Sequence, residues 1–121
     1  YSGHPVACAA ALAALEVLER EQLVQRVADH ADYFADLVHE LKQCPNIEDI
    51  RNCGFAAGFS LTHYPGEPAR RPYEVAMAMW QKGFYVRYGG DTIQLGLPFV
   101  TEKAEMDRLV NALGEAFNEC A

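Results

Sequence analysis

FYVRYGGDTIQLGL, residues 84–97, is the clearest structural pattern in the sequence, because it is typical of two short β-strands around a tight turn. Aromatic and β-branched residues dominate both halves, as is typical of strands. Between them, Gly89, Gly90 and Asp91 accept the positive φ angles that hairpin turns require. We therefore predict a β-hairpin with strands over residues 84–88 and 92–97.

The polar face of this hairpin carries the first candidate functional residues. With Gly90 and Asp91 as a two-residue turn, Arg87 lies directly across from Gln94, and strand alternation puts both opposite the apolar face. A guanidinium fork beside an amide donor can bind a carboxylate at two points. Exposed arginine and glutamine are also common on solvated strands, so spacing alone leaves both interpretations open.

The other elements follow from hydrophobic periodicity and turn residues. In chain order, we predict an alanine-rich helix over residues 5–19, a helix over 23–41, strands over 47–52 and 55–62, an exposed loop over 63–71, a helix that begins at Pro72 and ends at Gly83, the hairpin, and a last helix capped by Thr101. The buried stripe predicted for the third helix is Val75, Ala76, Met79 and Trp80. The first helix, with small residues almost all round, is expected to pack closely on several sides.

The order of these elements predicts the fold class. Two helices, two strands, a helix, two strands and a helix indicate an α+β domain with a small, mainly antiparallel sheet of about four strands covered by helices. At 121 residues the chain suits one domain, residues 1–121, with a single core.

Composition and charge exclude several classes of function. A net charge of -7, with no basic cluster beyond Arg70 and Arg71, argues against a nucleic-acid partner. No apolar run approaches the roughly 20 residues of a membrane span. Four scattered cysteines, without a zinc-finger or CxxC spacing, indicate ordinary thiols and no metal site. We expect a soluble protein of the cytoplasm.

The N-terminal residues are a second candidate site. The chain starts without methionine, at Tyr1 and Ser2, and this start indicates a piece of a longer protein. Pro5 suits the first turn of a helix, whose free N–H groups attract phosphates or carboxylates. A plain capped helix start explains the same residues, and His4 has no carboxylate nearby in sequence that would make it a general base.

Two stretches together resemble class III, pyridoxal-phosphate-dependent aminotransferases, and within them the ω-amino acid (β-alanine):pyruvate group. They are YSGHPVACAAAL, residues 1–12, and GFYVRYGGDTIQ, residues 83–94. The resemblance spans the chain in order. It implies the C-terminal small domain of a fold-type I enzyme, which acts as a homodimer on amino and keto acids.

The resemblance also implies roles for particular residues. Arg87 would bind the substrate carboxylate, and Gln94 would be a second substrate contact. The threonine that reaches the cofactor phosphate in this family stands immediately before the matching run, so Tyr1 and Ser2 lie only beside the phosphate site. The Schiff-base lysine would lie upstream, and no catalytic residue is expected in this chain.

Two hypotheses follow for the whole protein. The first is the small domain of an ω-amino acid:pyruvate aminotransferase, which is inactive alone, holds no cofactor alone, and needs its own N-terminal cofactor domain and a second subunit. The second is a free-standing α+β module that binds small carboxylates through the face of Arg87. No lysine favours covalent chemistry within the chain, because Lys42, Lys82 and Lys103 all stand near helix ends.

Overall fold

The computed structural model describes residues 2–121 and contains four α-helices and four strands in the predicted order. They are α1 (Pro5–Arg20), α2 (Leu23–Glu40), β1 (Ile47–Cys53), β2 (Ala56–Leu61), α3 (Arg70–Gln81), β3 (Arg87–Gly89), β4 (Thr92–Gly96) and α4 (Lys103–Glu119). A short 3₁₀ turn, Leu41–Gln43, extends α2. The predicted α+β class is confirmed.

The four strands form one sheet in the order β1-β2-β4-β3, and every neighbouring pair is antiparallel. Alternation along β2 buries Ala57, Phe59 and Leu61 on one face and leaves Ala56, Gly58 and Ser60 on the other. The buried face packs against α2, α3 and α4. The core therefore lies on one side of the sheet only.

Large apolar side chains from all three covering helices fill this core. Phe34 of α2, Met79 of α3 and Leu113 of α4 are each 0% exposed. Phe59 of β2 contacts Phe117 of α4, with ring centroids 5.5 Å apart. Fully burying side chains of this size stabilises the fold by about 1.5–3 kcal/mol each.

The predicted start of the third helix is wrong by two residues. α3 begins at Arg70, so Pro72 is its third residue rather than its first. The reason is tertiary, because the Arg71 guanidinium donates hydrogen bonds to the carbonyls of Thr62 and Cys120, both at 2.8 Å. Arg71 is consequently buried and does not belong to an exposed loop.

The predicted buried stripe of α3 is wrong at Trp80, which is 60% exposed. Val75, Ala76 and Met79 are buried as predicted. Trp80 follows Met79 by one residue, or about 100° of helix rotation, and this step takes it off the stripe. Gly83 does end the helix, with φ at +85°.

The last helix begins one residue later than predicted. Its N-cap is Glu102, not Thr101, and Glu102 and Glu105 form a reciprocal capping box. Thr101 donates its hydroxyl hydrogen bond backwards to the Pro98 carbonyl at 2.7 Å. The second strand before α3 is one residue shorter at each end than predicted, since Phe55 and Thr62 lie outside β2.

The alanine-rich helix α1 has no buried residue, although it contacts α2. Val6, Leu12 and Leu15 are 71%, 63% and 55% exposed. The packing on several sides that its composition predicted is not made by residues 2–121. Within that range, no helix combines the length and the hydropathy needed to cross a bilayer.

Candidate functional site

The candidate site lies on the hairpin formed by β3 and β4. Its turn is Gly90-Asp91, because Gly89 pairs with Thr92, and Gly90 has a φ of +57°. A positive φ at the first turn residue alone is the pattern of type II′ turns, which keep the twist of the flanking strands. The predicted pairing of Arg87 with Gln94 is confirmed.

Arg87 and Gln94 share the face of the sheet that the helices leave uncovered. Both side chains are exposed, and neither makes a side-chain hydrogen bond to another residue in the range 2–121. Directly paired residues place their Cβ atoms about 4.5–5.5 Å apart. The guanidinium and amide groups are therefore available to bind one ligand together.

The first strand of the hairpin is shorter than predicted. Pairing with β4 begins only at Arg87, so residues 84–86 are not in a strand. The Phe84 N–H donates to the Met79 carbonyl at 2.9 Å, and this bond holds the chain near the end of α3. Residues 84–86 consequently diverge from the end of β4.

This divergence opens a cavity of about 570 Å³ beside the arginine. Arg87 and Gln94 line it together with apolar side chains, among them Phe84, Leu97 and Leu109. A concave, mainly apolar site with a few convergent polar groups is typical of small-molecule binding. Glu105 also lines the cavity, but one of its carboxylate oxygens accepts the Glu102 N–H of the capping box.

The N-terminal candidate is only partly described. Tyr1 lies outside the described residues, and Ser2 is an exposed turn residue. Pro5 is the first residue of α1, as predicted, and His4 is its N-cap. The His4 Nδ1 accepts the Ala7 N–H at 3.4 Å, so this side chain caps the helix.

The three lysines stand on the surface, away from the cavity. Lys82 donates to Glu115 and Glu119, both at 2.9 Å, and the hydrogen bonds to these carboxylates raise the pKa of its ammonium group. Lys103 stacks over the Tyr33 ring, with its Nζ 4.5 Å from the ring centroid, and Lys42 is exposed. A lysine that forms a Schiff base needs a lowered pKa, which Lys82 does not have.

The cysteines and histidines form no common site. Cys8 and Cys53 are exposed, whereas Cys44 and Cys120 are half-buried, and burial raises the pKa of both half-buried thiols. No group of three or more possible metal ligands comes together within residues 2–121. None of the four cysteines is fully buried, so the expectation that they are ordinary thiols stays a prediction.

Sequence reasoning missed a second arginine on the uncovered face. Arg51 of β1 pairs with Gly58 of β2, Gly58 pairs with Gln94, and Gln94 pairs with Arg87. We call these four residues the arginine row. The sequence offered only a charged residue within a predicted strand. The alignment of Arg51 with Gln94 and Arg87 follows only from the strand order and the register of all four strands.

Comparison with known proteins gives a consistent result. The family model described as "Aminotransferase class-III" matches residues 1–117. The chain is 50% identical over 121 residues to "Beta-alanine--pyruvate aminotransferase" of Pseudomonas aeruginosa. It is 48% identical over 119 residues to "Omega-amino acid--pyruvate aminotransferase" of Pseudomonas putida.

These alignments cover 100% and 98% of this chain, but only 27% and 26% of the two relatives. A solved structure, a thermostable omega transaminase 6-fold mutant from Pseudomonas jessenii, superposes with a TM-score of 0.91 at 25% identity. That superposition covers 98% of this chain and 28% of the transaminase. The chain therefore spans about a quarter of the length of the proteins it matches.

Proposed function

Because the chain belongs to the class-III aminotransferase family, we propose that residues 1–121 are the C-terminal small domain of a longer ω-amino acid:pyruvate aminotransferase. The whole enzyme would move an amino group from an ω-amino acid such as β-alanine, or from an amine, to pyruvate. The two Pseudomonas relatives named for this reaction support the proposal, together with the short share of their length that the chain spans.

The role of this chain in that reaction is to bind and orient the substrate carboxylate. Arg87 would hold the carboxylate in a bidentate ion pair, and Gln94 would donate a further hydrogen bond from its amide. The observation that carries this assignment is the direct cross-strand pairing of Arg87 with Gln94 on the uncovered face, where both residues line the cavity. Fixing one end of the substrate limits the positions of its reacting end.

Class-III aminotransferases in general depend on pyridoxal phosphate, which carries the amino group between the two substrates and acts as the electron sink. The residues of this chain do not suffice to hold that cofactor covalently. Lys82 is engaged by two carboxylates, Lys103 lies over a tyrosine ring and Lys42 is exposed. We propose that Tyr1 and Ser2 lie beside the phosphate site without being its main ligands.

The same proposal specifies the partners of the domain. The exposed apolar side chains of α1, Val6, Leu12 and Leu15, are expected to contact the protein's own cofactor domain. A homodimer and a location in the cytoplasm belong to the proposal as well. The 121 residues alone are expected to be inactive and to give no Schiff-base absorbance with pyridoxal phosphate.

The test is the substitution Arg87→Ala in the full-length enzyme, whose activity is compared with two amino donors that have the same number of carbon atoms. β-Alanine carries a carboxylate where propylamine carries a methyl group, and the first half of the reaction with each is followed by cofactor absorbance. Losing two charge-assisted hydrogen bonds should lower the efficiency with β-alanine by about a hundredfold or more. The efficiency with propylamine should not fall.

Arg70→Ala serves as the matched control, because Arg70 is an exposed arginine that pairs with Glu67 and Glu74 on the surface. It should leave both donors unaffected. Equal losses with β-alanine and propylamine in Arg87→Ala would show that Arg87 supports the structure and does not bind the carboxylate. A Schiff-base band from the 121 residues alone would contradict the assignment of this chain as a domain without its own cofactor lysine.

A further inference from the structure

We propose that Arg51 is a second anion-binding residue of this site, which strengthens the binding of ligands that carry a second carboxylate beside the one held by Arg87. The inference rests on the proposed function, because it takes Arg87 as the residue that binds the first carboxylate. It adds a specificity-determining residue on a different strand, at the opposite edge of the sheet.

The arginine row places the two guanidinium groups on one surface. Arg51, Gly58, Gln94 and Arg87 are paired one with the next across all four strands. Directly paired residues point to the same face, so Arg51 and Arg87 both rise from the uncovered face. Three strand spacings of about 4.8 Å separate their backbones by roughly 14 Å.

The side chain of Arg51 leans from β1 towards the middle of the sheet. A Cβ atom built on Gly58 would lie 3.7 Å from the Arg51 Nε and 3.8 Å from its Cζ. The guanidinium therefore lies over Gly58, one strand closer to Gln94 than its own backbone. Gly58 has no side chain of its own to stand between Arg51 and Gln94.

Gln94 connects the two halves of the row. It lines the cavity beside Arg87, and it also lines a neighbouring cavity of about 470 Å³ to which Arg51 contributes. Leu95 is shared by both cavities as well. A ligand held by Arg87 at one end can therefore extend past the Gln94 amide towards Arg51.

The hydrogen bonds of Arg51 position it and leave donors for a ligand. Its Nη1 donates to the Asp49 carboxylate at 2.7 Å and to the Ser60 hydroxyl at 2.9 Å. Within residues 2–121, its Nη2 and Nε have no such partner. Asp49 neutralises part of the charge, so an incoming carboxylate competes with Asp49 in part and uses the remaining N–H groups.

The experiment compares two ligands that differ only in the second carboxylate. Glutarate and pentanoate have the same chain length, and their binding to the full-length holoenzyme is measured by calorimetry. The wild type should bind glutarate more tightly than pentanoate. Arg51→Ala should weaken glutarate binding by about tenfold, the loss expected for one charge-assisted hydrogen bond, and should leave pentanoate binding unchanged.

Two further variants sharpen the test. Arg51→Lys keeps the charge and should retain part of the preference for glutarate, whereas Asp49→Asn removes the competing carboxylate and should strengthen glutarate binding. Unchanged pentanoate binding reports an intact fold in each variant. Arg70→Ala controls for the loss of any surface arginine.

The inference is overturned if the wild type binds both ligands equally, or if Arg51→Ala weakens both to the same extent. Either outcome leaves the proposed function intact, provided that Arg87→Ala still separates β-alanine from propylamine. Loss of that separation would instead refute the proposed role of Arg87, whatever the result with glutarate.

Discussion

Replacing Arg71 with methionine should lower the free energy of unfolding of the chain by about 3 kcal/mol, whereas the same change at Arg70 should have little effect. The two arginines are adjacent, yet Arg71 is buried and Arg70 is exposed. Arg71 joins the loop after β2 to the end of α4 through the carbonyls of Thr62 and Cys120. Methionine retains the apolar stem and removes both hydrogen bonds.

The magnitude follows from the two lost bonds. A hydrogen bond from a charged donor contributes about 1.5–3 kcal/mol, so two of them give about 3–6 kcal/mol. Thr62 is exposed and Cys120 is half-buried, so water can reach the freed carbonyls, and the lower end of this range applies. Loss of the cation–π contact with the Tyr64 ring, 4.5 Å from the guanidinium carbon, adds a smaller cost.

Urea unfolding monitored by fluorescence measures both variants. Trp80 is the single tryptophan of the chain and lies in α3, the helix that contains both arginines. Arg70 provides the control, because its ion pairs with Glu67 and Glu74 are at the surface. Equal changes in the urea midpoint for Arg71→Met and Arg70→Met would show that the buried hydrogen bonds of Arg71 do not stabilise the fold more than the surface ion pairs of Arg70.

Three further predictions concern local features. Glu102→Ala should lower the free energy of unfolding by about 1 kcal/mol, as loss of an N-cap does, and Thr101→Ala should lower it by less, because Glu102 is the N-cap of α4. Thermal unfolding of both variants measures the difference. Met79→Ala should lower it by about 2–5 kcal/mol, while Trp80→Ala, one residue further on, should change it little in urea titrations followed by circular dichroism. Burial and the nearby acidic side chains raise the pKa of Cys120, so alkylation measured by mass spectrometry should reach half its maximal rate at a higher pH in the folded chain than in urea. The stability linked to that neutral thiol is present below the unfolded-state pKa and is lost as the pH rises through the folded-state pKa.

The elements that the sequence predicts well are those determined by neighbouring residues. The pairing of Arg87 with Gln94 follows from a two-residue turn at Gly90-Asp91, so strand alternation alone gives the correct register. The end of α3 at Gly83 is equally local, because glycine accepts the positive φ that closes a helix.

The features that the sequence did not reveal depend on distant contacts. The start of α3 is stabilised by a hydrogen bond from Arg71 to Cys120, 49 positions further along the chain. The early separation of Phe84 from β4 depends on the Met79 carbonyl. The position of Arg51 in the arginine row requires the register of β1, which includes an irregularity between Ile47 and Asp49.

The two-residue turn at Gly90-Asp91 has a consequence for how this domain can vary. Adding or deleting one residue there would shift the register of β3 by one residue and turn Arg87 to the opposite face of the sheet. Its charge would then be buried beside Phe59 and Ile93. Single-residue insertions or deletions at this loop should therefore abolish the carboxylate binding that we propose for Arg87, even though the tip of the hairpin is exposed to solvent. Sequence libraries of this domain should vary the side chains around this tip and hold its length constant.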